Sequence, residues 1–433
     1  MQALNIREFL NSNKLSMQQW ILIILCFFIV AIDGMDVAIM GFVAPSILAE
    51  WNIGKPVFGV VMGAAPIGLA IGALLAGSSS DYFGRRKVLL ASVLFFGVAT
   101  VLTAYANNVT EMAIYRFLTG LGLGAAMPNT TTLLSEYIPE QRKGLILTAM
   151  FTGFNLGSGV IGFIASALIP SYGWRSVLLF GGIAPLVLLV FMLFLLPESA
   201  KFMVVRQYGV EKIRKVFSRM FNRSFDSYDT FITGDAPTAS KQPIRVLFEP
   251  EYRLKTISLW LTYFMGLMVI YLSTSWLPTM MKDAGRTISD AANATAMFQI
   301  GGVFGALLVG FMLDKGKPSK IIATAYAIGA IALLLLAFNG LMSPYVVALI
   351  CFVGFCLSGA QTGLNAYAPN LYPSVARATG VSAMLGVGRL GSILGSSIGG
   401  VLLAQDLGFG GIFALLAIPA FLAAGFILLS GKR

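Results

Sequence analysis

The sequence predicts an all-α membrane protein: twelve transmembrane helices in two pseudo-symmetric six-helix bundles, with both termini cytoplasmic. Three observations predict it. Hydrophobic residues make up 57% of the 433 and charged residues only 11%, against about 25% charged in an average globular domain, and the mean hydropathy is +0.82. Apolar stretches long enough to cross a bilayer recur twelve times. Lys and Arg gather in the loops of one side.

In order, the apolar stretches are residues 21–45, 57–76, 88–106, 112–134, 145–169 and 176–196, then 256–277, 291–313, 321–338, 344–366, 378–403 and 410–430. Each is close to the ~20 residues a helix needs to cross hydrocarbon about 30 Å thick. The first is too long for the apolar core of a signal peptide and has no small-residue cleavage site, so it reads as a permanent span. Ahead of it, Ile6-Arg7-Glu8-Phe9-Leu10 fits a short interfacial helix. The long polar interval divides the chain into a bundle at 1–196, a cytoplasmic connector at 197–255 and a bundle at 256–433. Within the connector, Ile213, Val216, Phe217 and Met220 recur at helical spacing among basic residues. That is the pattern of an amphipathic helix on the inner leaflet, although a solvated linker has a similar composition.

On this scheme 24 of the 30 Lys and Arg residues fall on one side and four, Lys55, Arg175, Lys282 and Arg286, on the other. Cytoplasmic loops carry such an excess. The net charge of +11 is therefore a mark of topology, and no nucleic-acid partner is expected. Histidine is absent, and Cys26, Cys351 and Cys356 stand singly in apolar runs. A Ser-His-Asp triad is thereby excluded, and neither an enzyme, a cofactor nor a metal site is expected. Gly316-Lys317 is followed by Pro318 and lacks the earlier glycine of a phosphate-binding loop, so an ion gradient rather than ATP is the expected energy source.

The same placement leaves four charges inside spans: Asp33, Asp36, Arg116 and Arg389. A charge at the bilayer centre costs about 2.5–3.5 kcal/mol on the most lenient scale, so such residues face partners or a wet pathway. Asp33 and Asp36 share a helix face, and Arg116 enters span 4 at a depth where it can pair with Asp36. Protonation of one aspartate would release Arg116 and permit a swing between two states; a permanent ion pair is the alternative. Arg389 lies halfway along span 11, and the second half offers no intramembrane acid to neutralise it. An anionic substrate could do so through a bidentate carboxylate contact; bonding to backbone carbonyls is the alternative. Nearby candidates are Ser358, Gln361, Thr362 and Asn365 in span 10, suited to a ring hydroxyl, a second carboxylate oxygen or helix–helix glue. Tyr263 and Trp276 in span 7, Asn155 in span 5 and Gln299 in span 8 complete the set.

The halves echo one another. Gly77-Ser78-Ser79-Ser80-Asp81-Tyr82-Phe83-Gly84-Arg85-Arg86-Lys87 follows span 2, and Gly310-Phe311-Met312-Leu313-Asp314-Lys315-Gly316-Lys317 follows span 8. These residues resemble the loop signature of the major facilitator superfamily, with Tyr82 where the first basic residue usually stands. The resemblance implies that Asp81, Arg85, Arg86 and Asp314 pair at helix ends as a cytoplasmic gate, with plain topological charge as the alternative. Two related six-helix halves with substrate held between them is that superfamily's plan.

More narrowly, the chain resembles the aromatic acid:H+ symporter family over nearly its whole length. The motifs are Asp33-Gly34-Met35-Asp36 with Gly41-Phe42-Val43-Ala44-Pro45, Arg116 to Gly124 with Pro128-Asn129, Ser275-Trp276-Leu277-Pro278, Gly359 to Asn365, and Arg377-Ala378-Thr379-Gly380. What this implies is proton-coupled import of a small aromatic carboxylate, such as a hydroxybenzoate-like anion, by alternating access. The protein is expected to be a multi-pass protein of the cytoplasmic (inner) membrane, working as a monomer, with the organic anion, protons and the bilayer as its partners. Residues 153–162 lack the glycine-proline signature of drug exporters, which favours uptake. Relatives also carry sialate, dicarboxylates, quinate-like acids and sugars, and Pro197-Glu198-Ser199-Ala200-Lys201 partly resembles a sugar-porter ending. Another organic acid, or a sugar or polyol, is therefore the alternative.

Overall fold

The computed structural model describes residues 3–226, 228–232, 243–313, 315–339, 345–405 and 407–431. A short strand β1 (Ala3–Asn5) and helix α1 (Ile6–Ser12) precede six long helices: α2 (Met17–Trp51), α3 (Lys55–Phe83), α4 (Arg85–Ala104), α5 (Val109–Ser135), α6 (Glu140–Tyr172) and α7 (Trp174–Leu195). The connecting region holds α8 (Ala200–Val205), α9 (Val210–Phe221), strand β2 (Thr230–Ile232) and α10 (Pro243–Leu247). Six more long helices follow: α11 (Pro250–Asp283), α12 (Ile288–Leu313), α13 (Pro318–Asn339), α14 (Val346–Leu371), α15 (Ser374–Leu403) and α16 (Gly408–Ser430).

The helices overrun the apolar stretches, and α2 begins at a side-chain cap. Ser16 and Gln19 form a reciprocal box at the start of α2, each side chain accepting from the other's backbone N–H at 3.2 and 2.7 Å. Eleven of the long helices are apolar enough by composition alone to cross a membrane; α5 falls short. Arg116, Asn129 and Thr130 to Thr132 dilute it. It packs between α3 and α4, and Asn129, Thr130 and Thr131 return their donors to carbonyls four residues back at 2.8, 2.8 and 3.0 Å. A helix with its polar groups satisfied and its flanks covered can remain at membrane depth.

The internal repeat is visible in the packing. In the first half α2 packs on α6 and α7, α3 on α5, and α4 on α5 and α7; in the second, α11 packs on α15 and α16, α12 on α14, and α13 on α14 and α16. Shifting one list by a half reproduces the other. The halves meet through α3 with α15, α6 with α12, and α2 with α11.

Along those seams one end is shut and the other is not. We call the side bearing the leader and the connecting region the connector face. Toward the opposite face a Cβ on Gly59 would stand 2.6 Å from the Ser397 carbonyl oxygen, and one on Gly162 would stand 2.8 Å from Ala296. Lys55 pairs with Asp283 at 2.6 Å, and Ser289 donates to the Ser166 carbonyl at 2.9 Å. Gly77 lies eighteen residues beyond Gly59 and Gly144 eighteen before Gly162, in each case about five turns along the same helix face. At Gly77 and Gly144, and at Gly310 and Gly386 on the partner helices, a Cβ would meet nothing within 4 Å among the described residues. The cleft between the halves therefore opens toward the connector face.

Helix α9 forms at the expected residues, but its apolar side does not lie on a leaflet. Ile213, Phe217 and Met220 are buried under the leader, where Phe9 meets Phe221 and Phe225 edge-on at 4.9 and 5.3 Å. β1 pairs in parallel with β2, Leu4 opposite Phe231. The leader helix likewise turns Ile6 and Leu10 into protein. The amphipathic pattern was real; its cover is this chain's own first residues.

Candidate functional site

Asp36 and Arg116 form a closed pair. The guanidinium donates to both carboxylate oxygens, at 2.9 and 2.8 Å, and to the Asp36 carbonyl at 3.3 Å. Thr100 of α4 adds a hydroxyl at 2.9 Å. Both charged residues are only 1% exposed. Fork-on-fork geometry makes this the strong form of such a contact, and it ties α2, α4 and α5 together. Sequence reasoning paired the right residues and missed Thr100, which carries no charge to mark it.

Asp33 is placed otherwise. Gly34 lets α2 lie directly on α6: a Cβ there would sit 2.0 Å from the Phe154 carbonyl oxygen, and Ser158 donates to the Gly34 carbonyl at 2.6 Å. Asp33, 3% exposed, keeps one carboxylate oxygen with no hydrogen-bond partner among the described residues. It lies within electrostatic reach of Arg389, across the seam on α15. No carboxylate among the described residues comes within 4 Å of Arg389, which is half-buried and whose described partner is the Tyr271 hydroxyl at 3.5 Å.

The other candidates gather around Arg389 in part. Tyr263 is buried within reach of its charge and stands beside the amides of Gln361 and Asn365. Tyr326 donates to Gln361 Oε1 at 2.6 Å, while Nε2 of the same amide has neighbours but no hydrogen-bond partner. Gly266 makes room for this, since a Cβ there would be 2.2 Å from both the Gln361 oxygen and the Tyr326 hydroxyl. Ser358 of α14 and Asn155 of α6 both lie over Gly302 of α12, 2.9 and 3.4 Å from where its Cβ would be. Thr362 bonds back to the Ser358 carbonyl at 2.9 Å, and Gln299 donates to Thr274 at 3.3 Å. Trp276 stands apart from the cluster: fully buried, it spends its N–H on the Ser396 carbonyl at 2.7 Å, toward the closed end. Tyr271 and Tyr326 were missed in the sequence, where two tyrosines among fourteen look like ordinary packing.

At the connector face Arg85 meets Asp81 at 3.0 Å and Glu136 at 3.9 Å. The backbone N–H of Arg86 donates to Glu198 at 3.1 Å and its side chain to the Leu193 carbonyl at 2.7 Å. Glu136 also accepts from Ser199. All these partners lie before α8, so the cluster braces one half rather than bridging two. Burial pushes the Glu136 carboxyl above its usual range, against the opposing pull of Ser199, Arg85 and Lys201. Burial also raises the Tyr137 phenol, further aided by the charges of Glu136 and Glu198. Glu136 was not singled out from the sequence, and Glu198 entered there only within the Pro197–Lys201 motif. Asp314 lies outside the described residues.

With two related halves, a central cleft and four membrane-depth charges established, comparison with known proteins becomes decisive. The sequence matches the Major Facilitator Superfamily over residues 26–292 and 259–433. The chain belongs to that superfamily. A gallate transporter of Pseudomonas putida is 48% identical over 99% of this chain and 95% of the relative. A 4-hydroxybenzoate transporter of Pseudomonas aeruginosa is 44% identical over 99% and 96%, and a benzoate transport protein of Acinetobacter baylyi is 32% identical over 100% and 94%. The crystal structure of a D-xylose–proton symporter superposes with a TM-score of 0.73 at 18% identity, covering 95% of this chain and 98% of that one; this likeness is one of fold. The protein is thus a multi-pass membrane transporter of the facilitator type.

Proposed function

We propose that this facilitator imports a small aromatic carboxylate, of the hydroxybenzoate type, together with protons across the inner membrane. The connector face is the cytoplasmic one, because the basic loops lie there, and the conformation described is inward-open. The reading rests on Arg389: a half-buried guanidinium at mid-span, facing the cleft, with no carboxylate at salt-bridge distance among the described residues. A carboxylate arriving from solution supplies the missing charge in bidentate form. The tyrosines and the amides of Gln361 and Asn365 then line the space available to an aromatic ring, and the unpaired Nε2 of Gln361 donates to a ring hydroxyl. Names of relatives at 44–48% identity point to the same substrate class.

Alternating access follows from the seams. The closed end is held by close contacts and one exposed ion pair, Lys55 with Asp283, which contributes at most about 1 kcal/mol. Rocking the halves would break that end and close the other around Asp81, Arg85 and Arg86. Purified protein in liposomes, given an inside-alkaline gradient, should accumulate radiolabelled 4-hydroxybenzoate in preference to an aliphatic acid and xylose. Accumulation of either of the others alone would remove the aromatic assignment.

A further inference from the structure

The two intramembrane aspartates are not equivalent. Asp36 is saturated by Arg116 and Thr100. Asp33 is buried and keeps an unpartnered oxygen. The positive charge within its electrostatic reach is Arg389, which belongs to the other half and is the residue that the proposed function assigns to the substrate. We propose that Asp33 and the carboxylate of the transported anion are alternative counter-charges for Arg389, so that arrival of the anion is what makes Asp33 take up the proton.

This rests on the reading of Arg389 as the carboxylate anchor, and the argument is one of charge balance. In the empty protein, Arg389 and ionised Asp33 sum to zero. An anion bound without a proton leaves one uncompensated negative charge in a desolvated site, and a proton bound without an anion leaves one positive charge. Either costs several kcal/mol at membrane depth. Anion plus proton restores zero: the substrate carboxylate takes the guanidinium, and the proton forms an O–H bond on Asp33. Only the empty and the doubly loaded states are neutral enough to pass through closure of the cleft, and that restriction couples the two fluxes.

The titratable groups within reach of Asp33 are few. Asp36 on its own helix is held by Arg116 from α5, while Arg389 comes from α15 and Tyr271 from α11. From α6 comes the Ser158 hydroxyl; the ionisable residues of that helix, Glu140, Arg142, Lys143 and Tyr172, lie at its ends. Helix α7 carries only Arg175, paired with Glu50 at 2.8 Å near the closed end.

One proton per monovalent anion makes each cycle electrically silent. In proteoliposomes, wild-type uptake of 4-hydroxybenzoate should rise about tenfold per unit of imposed pH gradient and should not respond to a potassium–valinomycin potential. Asp33→Asn should bind the anion with an affinity that no longer changes between about pH 6 and 8, should exchange internal for external substrate, and should fail to accumulate it. Asp33→Glu should restore the pH dependence. Gradient-driven accumulation by Asp33→Asn, retained pH dependence of its affinity, or potential-driven accumulation by the wild type overturns the proposal. So does complete loss of binding in both variants. If the wild type binds no aromatic acid at all, it is the substrate assignment that has failed, and the pairing falls with it.

Discussion

The molecule holds two acid–base couples at membrane depth, built to opposite specifications. Asp36 and Arg116 lie in one half, three hydrogen bonds deep and sealed from solvent. Asp33 and Arg389 lie in different halves, beyond salt-bridge distance, with an oxygen left unpaired and the guanidinium half-exposed. The first couple pairs both carboxylate oxygens, leaving only the Arg116 Nε without a partner among the described residues, and it ties its helices together. The second is incomplete, and in the proposed function that incompleteness leaves a place for a substrate and a proton.

Breaking the closed couple should have the largest effect. Arg116→Leu strands a buried carboxylate, a loss of about 3–5 kcal/mol, seen as reduced yield and a lower Tm in detergent. Pairing it with Asp36→Asn should recover most of that loss, whereas no such rescue is expected between Asp33 and Arg389. Next comes Arg389→Ala: normal yield and Tm, with aromatic acid affinity weakened by about 1.5–3 kcal/mol, roughly 10- to 150-fold, in a scintillation proximity assay. Unchanged affinity would erase the distinction between the couples. Gln361→Leu should cost hydroxylated acids about 2- to 10-fold in affinity and leave benzoate unaffected, locating the hydroxyl end of the site.

The smallest effect concerns Glu136, a buried acid outside the spans that serves as a control. Its carboxyl is raised in the folded protein, so the folded state binds the proton more tightly than the unfolded one. The resulting stability is fully present below the ordinary carboxylate range and is lost as pH rises through the raised value. Glu136→Gln should flatten that dependence in thermal unfolding measured against pH, with gradient-driven uptake still tracking Asp33.

The closed couple was legible in the sequence because charges are rare within spans and depth alone aligns Asp36 with Arg116. The open one was not, since no spacing brings the first span against the eleventh. Arg389 could be recognised as unneutralised within its half, but not as facing Asp33. The repeat was legible in its two glycine–aspartate loops, and the packing of both halves follows it. Helix α9 shows a different limit: Ile213, Phe217 and Met220 announce an apolar side, but periodicity cannot distinguish lipid from protein as its cover. Trp276 illustrates the same point at a single residue, since a large polar-tipped ring reads alike whether it faces a cleft or closes a seam.

The strand pairing of Ala3–Asn5 with Thr230–Ile232 bears on how the protein is made. The leader is synthesised before its partners, since β2 and the phenylalanines around α9 emerge only after all six helices of the first half. Until then Leu4 and Phe9 lack those partners, while Ile6 and Leu10 have only the α5–α6 junction around Thr132 and Ile138 beside them. The connecting region is meanwhile shared out: its first part, through Ile232, belongs with the leader, while α10 belongs with the second half, where the Leu247 carbonyl accepts from Thr256 at 3.1 Å. A first half expressed alone would need to run to Ile232 to cover its own leader, and a chain cut near residue 196 would emerge with that greasy edge unsheathed.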